Sequence, residues 1–171
     1  MNLIKTEEQI TYKRQIESMG EGLVLVEISA ENKTVGQKYH LFYENGKKPP
    51  LDIAINPSNN TVAYISFFVQ DEKIEKKQLS YDIFYIGLSV EIYCSNSNEN
   101  HVQEFFLKDF YMNFSNDDLF VMDIEEIKDL VGYQLDPNNF IIFDKARLFR
   151  GIVMKNITKN EMEQFKESSV V

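Results

Sequence analysis

Leu51-Asp-Ile-Ala-Ile-Asn-Pro-Ser-Asn-Asn-Thr-Val-Ala-Tyr-Ile-Ser-Phe-Phe-Val69 decides the fold class. Leu51, Ile53 and Ile55 alternate with Asp52, Ala54 and Asn56, the two-residue period of a half-buried strand. Asn56 to Asn60 is a turn, because Asn side chains bond their own backbone and tolerate left-handed φ. Thr61 to Val69 is apolar on both faces, as a strand covered by two layers must be. Strand, Asx turn and strand follow one another with no helical spacing between them.

The same pattern extends in both directions. Leu23 to Ile28 is apolar on both faces apart from Glu27, and Tyr39 to Tyr43 is a further strand before the Asn45-Gly46 turn. Gln9 to Glu17 alternates Ile10, Tyr12, Arg14 and Ile16 with polar partners, which reads as a solvent-edge strand, with a short helix from Thr6 as the rival. Pro49-Pro50 marks an exposed edge or connector, since proline has no amide to donate. Ile83 to Tyr93 carries a stripe of Phe84, Ile86, Leu88, Val90 and Ile92. Phe105 to Phe114 and Leu119 to Ile124 make two more strands, Ile124 to Val131 a short helix, and Phe140 to Phe143 with Leu148 to Met154 a closing hairpin. Thr158 and Glu161 form a capping box, so the chain ends in a short helix. The charged stretch 71–80 reads as a surface loop between two β-rich halves of one domain, residues 1–171.

The fold expected is therefore mostly β, an antiparallel sandwich or open barrel of about eight to ten strands with one or two short helices; α+β is the alternative. Its core is expected to hold Leu23, Val24, Val26, Ile53, Ile55, Ile65, Phe67, Phe84, Ile86, Leu88, Val90, Ile92, Val121 and Ile142. One internal similarity stands apart. Asp52-Ile-Ala-Ile-Asn-Pro-Ser-Asn-Asn60 matches Asp109-Phe-Tyr-Met-Asn-Phe-Ser-Asn-Asp117 without a gap. It fits either a duplicated hairpin or two hairpins that draw on the same small turn vocabulary.

Composition narrows function by exclusion. The chain has 171 residues, 18 Lys plus Arg against 27 Asp plus Glu, and a net charge of −9. Its length is enough to bury roughly 70% of the unfolded surface. An acidic chain does not neutralise phosphates, which argues against nucleic acid and anionic membranes. The N-terminus lacks an apolar h-region, and Cys94 is the single cysteine, so a cytoplasmic protein without a disulfide is expected. There is no glycine-rich phosphate loop, and the two histidines and one cysteine give no zinc spacing. Asn113 to Ile124 fails the EF-hand pattern, with Asp118 where glycine is needed and Ile124 where glutamate is needed. No cofactor is expected.

Catalytic side chains are scarce. His40 lies in a strand and is read as a packed residue. Cys94 and His101 are seven apart, but Cys94 ends an apolar strand, the setting of an inert buried thiol. Charge is the more telling feature. From Asp109 to Asp129 there are seven acids and one base; from Asp144 to Lys159 there are five bases and one acid. Either the two segments pair with each other, or the acids form a face that steers a basic protein partner. On the second reading Asp117, Asp118, Asp123, Glu125 and Glu126 bind the partner. The protein is then a non-enzymatic binding module, of the type of an immunity protein that neutralises a basic bacterial toxin. Two alternatives are a small-molecule binder with an aromatic-lined cavity between sheets, and a hydrolase built on carboxylates such as Asp117 and Asp123.

Overall fold

A computed structural model describes residues 2–5, 10–32, 35–70, 73–78, 81–87, 90–93, 102–123 and 129–171. In chain order the strands are β1 (Asn2–Lys5), β2 (Tyr12–Gly20), β3 (Leu23–Ala30), β4 (Tyr39–Glu44), β5 (Leu51–Ile55), β6 (Val62–Gln70), β7 (Glu75–Lys76) and β8 (Ile83–Ile86). They continue as β9 (Val90–Tyr93), β10 (Gln103–Leu107), β11 (Tyr111–Ser115), β12 (Asp118–Met122), β13 (Leu130–Asp136), β14 (Asn139–Phe143) and β15 (Phe149–Met154), followed by α1 (Lys159–Glu167). Among the described residues no helix is long and apolar enough to cross a membrane.

The strands form a six-stranded sheet, β10-β4-β5-β6-β3-β2, a seven-stranded sheet, β7-β11-β12-β15-β14-β13-β8, and the pair β1-β9. One core cluster joins the two large sheets. It takes Val26, Ile28 and Ile53 from the first and Leu119, Ile141 and Ile152 from the second, all buried. The expected β-rich sandwich is thus what the chain adopts, with more and shorter strands than the apolar runs suggest. The sheets are also mixed: β10 joins β4, β7 joins β11 and β8 joins β13 in parallel. Each of these pairs joins strands far apart in the chain, and that separation permits parallel docking on an edge.

β2 is the edge strand expected, with Tyr12 and Ile16 buried and Lys13, Gln15 and Glu17 exposed. α1 starts at the expected cap. The Thr158 side chain accepts from the Glu161 amide, and Glu161 reaches back to the Thr158 amide. The stretch 71–80 is tied down within its described part: Ile74 is buried and its amide donates to the Val170 carbonyl.

Two expected strands are corrected. Residues 83–93 break after Ile86, and β8 and β9 belong to different sheets. β8 turns Ile83 and Tyr85 toward an apolar cluster on the outer face of the seven-stranded sheet, so Phe84 on the opposite parity is 71% exposed. Ile86 and Leu23 are half-buried, and the side chains of Leu88 and Val90 lie outside the described residues. Residues 105–114 also break, at Lys108 to Phe110, because β10 belongs to one sheet and β11 to the other. Of the helix expected over Ile124 to Val131, residues 124–128 lie outside the described residues, while Leu130 and Val131 open β13. Cys94 and His101 lie outside them too.

The two similar hairpins fall one in each sheet. In the first, Ile55 pairs with Val62 and Ile53 with Ile65, and Asn60 takes the left-handed φ of 56°. In the second, Ser115 pairs with Asp118 across a two-residue turn, and Asn116 takes φ 55°. The left-handed positions do not coincide when the sequences are superposed, and Met112 pairs with Val121 where the first hairpin predicts Leu119. The likeness thus holds for the Asx turn chemistry and not for the strand register.

Candidate protein-binding surface

The acidic segment divides once it is folded. Asp123 follows β12 directly, and its side chain is 6% exposed. Its Oδ2 accepts from Lys108 Nζ at 2.7 Å and Arg150 Nη1 at 3.1 Å. Arg150 also donates through Nε to Asp144 Oδ2 at 2.9 Å. Burial raises the Asp144 pKa, but the Leu148 amide and the Arg150 guanidinium outweigh it and hold the carboxyl below its ordinary value. Lys145 pairs with Asp129 at 2.8 Å. Two of the seven acids, Asp123 and Asp129, are thus paired with two of the five bases, Arg150 and Lys145. Asp123 is committed inside the fold, and a buried ion pair of this kind leaves no charge for a partner.

Asp117 and Asp118 are placed differently. Asp117 is exposed at the tip of the β11–β12 turn, where its carbonyl accepts from the Ile157 amide. Asp118 is half-buried, and its Oδ1 accepts from the Asn156 amide at 3.0 Å. Glu125 and Glu126 lie outside the described residues. The structure thus brings Asp117 and Asp118 together at one turn and separates Asp123 from them in environment.

His40, on the outer face of β4, hydrogen-bonds through Nδ1 to Asp52 at 3.0 Å. Tyr64 Oη donates to Asp52 Oδ2 at 2.9 Å. Burial first, then the Asp52 hydrogen bond and charge with Glu27 beyond, push the Tyr64 phenol up. The geometry orients an imidazole, but among the described residues no hydroxyl or thiol is hydrogen-bonded to it as a nucleophile needs. Among the described residues no group of three His, Cys, Asp or Glu side chains is placed to hold a metal ion.

Between the sheets, a pocket bordered by Tyr43, Leu51, Phe67, Phe110, Met112 and Val121 holds about 20 Å³, room for about one water. A wider cleft of about 550 Å³ is bordered by Thr11, Arg14, Gln134, Asp136, Asn138 and Glu161. Its cation is already used: Arg14 makes five hydrogen bonds, two to Glu161 and one each to Asn139 Oδ1, the Lys155 carbonyl and the Asn156 carbonyl.

A surface that the sequence reading missed lies along β10. This strand ends the six-stranded sheet. His40 N donates to the Val102 carbonyl and Lys108 N to the Glu44 carbonyl. By alternation Gln103, Phe105 and Leu107 turn their amides and carbonyls to the open edge. Leu107 is 89% exposed, Phe105 56% and Phe106 36%. Phe105 stacks on Phe42 at 5.1 Å, and Phe106 on Tyr43 at 5.0 Å. The strand's charged side chain, Glu104, is turned aside to accept from Tyr39 Oη. None of the usual protections of an edge, such as lysine, proline or a bulge, is present in β10. The signal was in the sequence: a Phe-Phe-Leu run followed at once by Lys-Asp cannot bury both faces if the strand ends there. No protein-family model matches the chain, and no curated protein matches it.

Proposed function

We propose that the protein is a non-enzymatic, cytoplasmic protein-binding module that takes a strand of a basic partner along β10. The observation that carries this reading is the edge of β10, where no strand among the described residues pairs on the far side and the exposed Phe105 and Leu107 lie side by side. An added strand gains main-chain hydrogen bonds from the edge, and its alternate side chains meet Phe105 and Leu107. The net charge of −9 selects a basic partner and speeds its approach. Neutralising such a partner, as an immunity-type inhibitor does, needs only this occupancy and no chemistry.

The test is affinity capture from the source cells with wild type and with Leu107→Lys, followed by amide exchange on the purified complex. Protection rising at Phe105 and Leu107 in the complex, together with loss of the captured protein on Leu107→Lys, is the expected outcome. Equal capture by Leu107→Lys with unchanged exchange along β10 rejects the reading.

A further inference from the structure

The outer face of the seven-stranded sheet carries a cation seat that the chain fills with its own lysine. Phe140 and Phe120 flank Val153 in one row across β14, β15 and β12. Tyr85 on β8 stands opposite Gly132, and a Cβ at 132 would lie 2.7 Å from Tyr85 Cδ1. The glycine therefore clears the bed on which the Tyr85 ring lies. That ring meets Phe140 at 4.7 Å between centroids and 64° between planes, so the two form adjoining walls. Lys155 Nζ sits 3.5 Å from the Tyr85 centroid and 5.1 Å from that of Phe140, well within cation–π range. Lys155 takes part in none of the ion pairs among the described residues.

A carboxylate lies close to the same seat. Asp118 precedes the Leu119–Met154 pair on β12, Lys155 follows that pair just after β15, and the Asp118 charge acts on the Tyr85 ring. Burial, and the Asp118 charge after it, push the Tyr85 phenol up to about 12, so this wall stays a neutral ring. The exposed Asp117 follows at the turn. The Lys155 backbone is pinned at both ends: its amide donates to the Asn138 carbonyl and its carbonyl accepts from Arg14 Nη1. Only the flexible side chain has to swing for the seat to open.

We infer that Tyr85, Phe140 and Asp118 form a binding site for an alkylammonium cation, the group carried by a lysine side chain or its methylated form, and that Lys155 is its resident stand-in. A ring pair and a carboxylate favour a compact cation over a neutral or anionic ligand. The occupant already seated shows the size and charge the site accepts. This site lies on a different sheet from β10, and its test uses small cations, so neither reading depends on the other.

The experiment has a wild-type arm and a variant arm. In wild type, the Lys155 ε-methylene protons should resonate upfield under the ring currents of Tyr85 and Phe140. Titration with tetramethylammonium chloride, at an ionic strength matched with sodium chloride, should remove that shift. Lys155→Ala, which keeps both backbone hydrogen bonds, should bind tetramethylammonium about tenfold more tightly than wild type by calorimetry. Adding Tyr85→Leu should return the affinity to the wild-type level or below, and Asp118→Asn, which can still accept from Asn156, should weaken it severalfold. N-acetyl-lysine methylamide and its trimethylated form then distinguish the two sources of the cation by which binds Lys155→Ala more tightly. Absence of an upfield shift in wild type overturns the proposal, and so does equal tetramethylammonium affinity of wild type and Lys155→Ala.

Discussion

Arg14 and Glu161, 147 residues apart in the chain, face each other through two parallel hydrogen bonds, Nε to Oε1 at 2.6 Å and Nη2 to Oε2 at 2.9 Å. The guanidinium also holds Asn139 and the carbonyls of Lys155 and Asn156, so one side chain ties the edge of the six-stranded sheet to the other sheet and to α1. Its planar fork suits this task, and lysine would not replace it.

Arg14→Met should destabilise the protein by about 3–5 kcal/mol, because it leaves a largely buried carboxylate with only the Thr158 amide and two carbonyls without their donor. The check is a urea melt beside Glu161→Gln, which should cost less because the amide still accepts. A wild-type midpoint for Arg14→Met would remove this pair from the list of structural ties.

The same pair sets a pH dependence. Burial raises the Glu161 pKa, but the hydrogen bond from Arg14, with the Thr158 amide, outweighs it and holds the carboxyl below its ordinary value of 4.5. A carboxyl depressed in the folded state adds stability that is full above the unfolded value and is lost as pH falls through the folded one. Between about pH 7 and about pH 3, Glu161→Gln should therefore lose less stability than wild type. Parallel pH profiles for the two proteins would contradict this.

Gly151→Ala should be among the most damaging single changes. Gly151 has φ 150°, and a Cβ there would stand 2.0 Å from the Val121 carbonyl oxygen and 2.9 Å from Met122 Cα. Both obstacles are backbone of β12, so β15 must leave its register to make room. We expect a loss of about 3 kcal/mol or more, read from the thermal midpoint or from failure to fold.

Asp123 and Asp117 should separate cleanly. Asp123→Ala leaves Lys108 and Arg150 facing a cavity and should cost about 3–5 kcal/mol. Asp117→Asn changes an exposed turn and should stay within about 0.5 kcal/mol. On the proposed reading of a basic partner, Asp117→Asn should slow that partner's on-rate at low salt, where the Debye length is about 10 Å at 0.1 M. Equal stability losses for the two variants would mean that burial does not divide the acidic segment.

Ile53→Ala should cost about 2–5 kcal/mol, since Ile53 is wholly buried between the sheets. Phe84→Ala should stay within about 0.5 kcal/mol despite removing a larger side chain, because Phe84 faces solvent. Chemical denaturation of both variants separates a position between the sheets from one that alternation alone placed in the core.

The sequence by itself determined the β-rich class, the edge position of β2, the turns at Asn60 and Asn116, and the cap of α1. All of these follow from short-range physics: the two-residue period of a strand, the left-handed tolerance of Asn, and the reciprocal bonds of Thr158 and Glu161. Only the tertiary structure decided which sheet each strand joins. Periodicity gives a strand two faces but does not say which one meets the core, so Phe84 and Ile83 could not be told apart from the stripe alone. Nor does a count of charges say which of them are spent. Asp123 and Asp117 are six residues apart and chemically alike, yet one is closed in by Lys108 and Arg150 and the other stands in water. The open edge of β10 and the Lys155 seat have the same origin. Each depends on strands distant in sequence meeting, or failing to meet, a neighbour, and that is set by the packing of the whole chain.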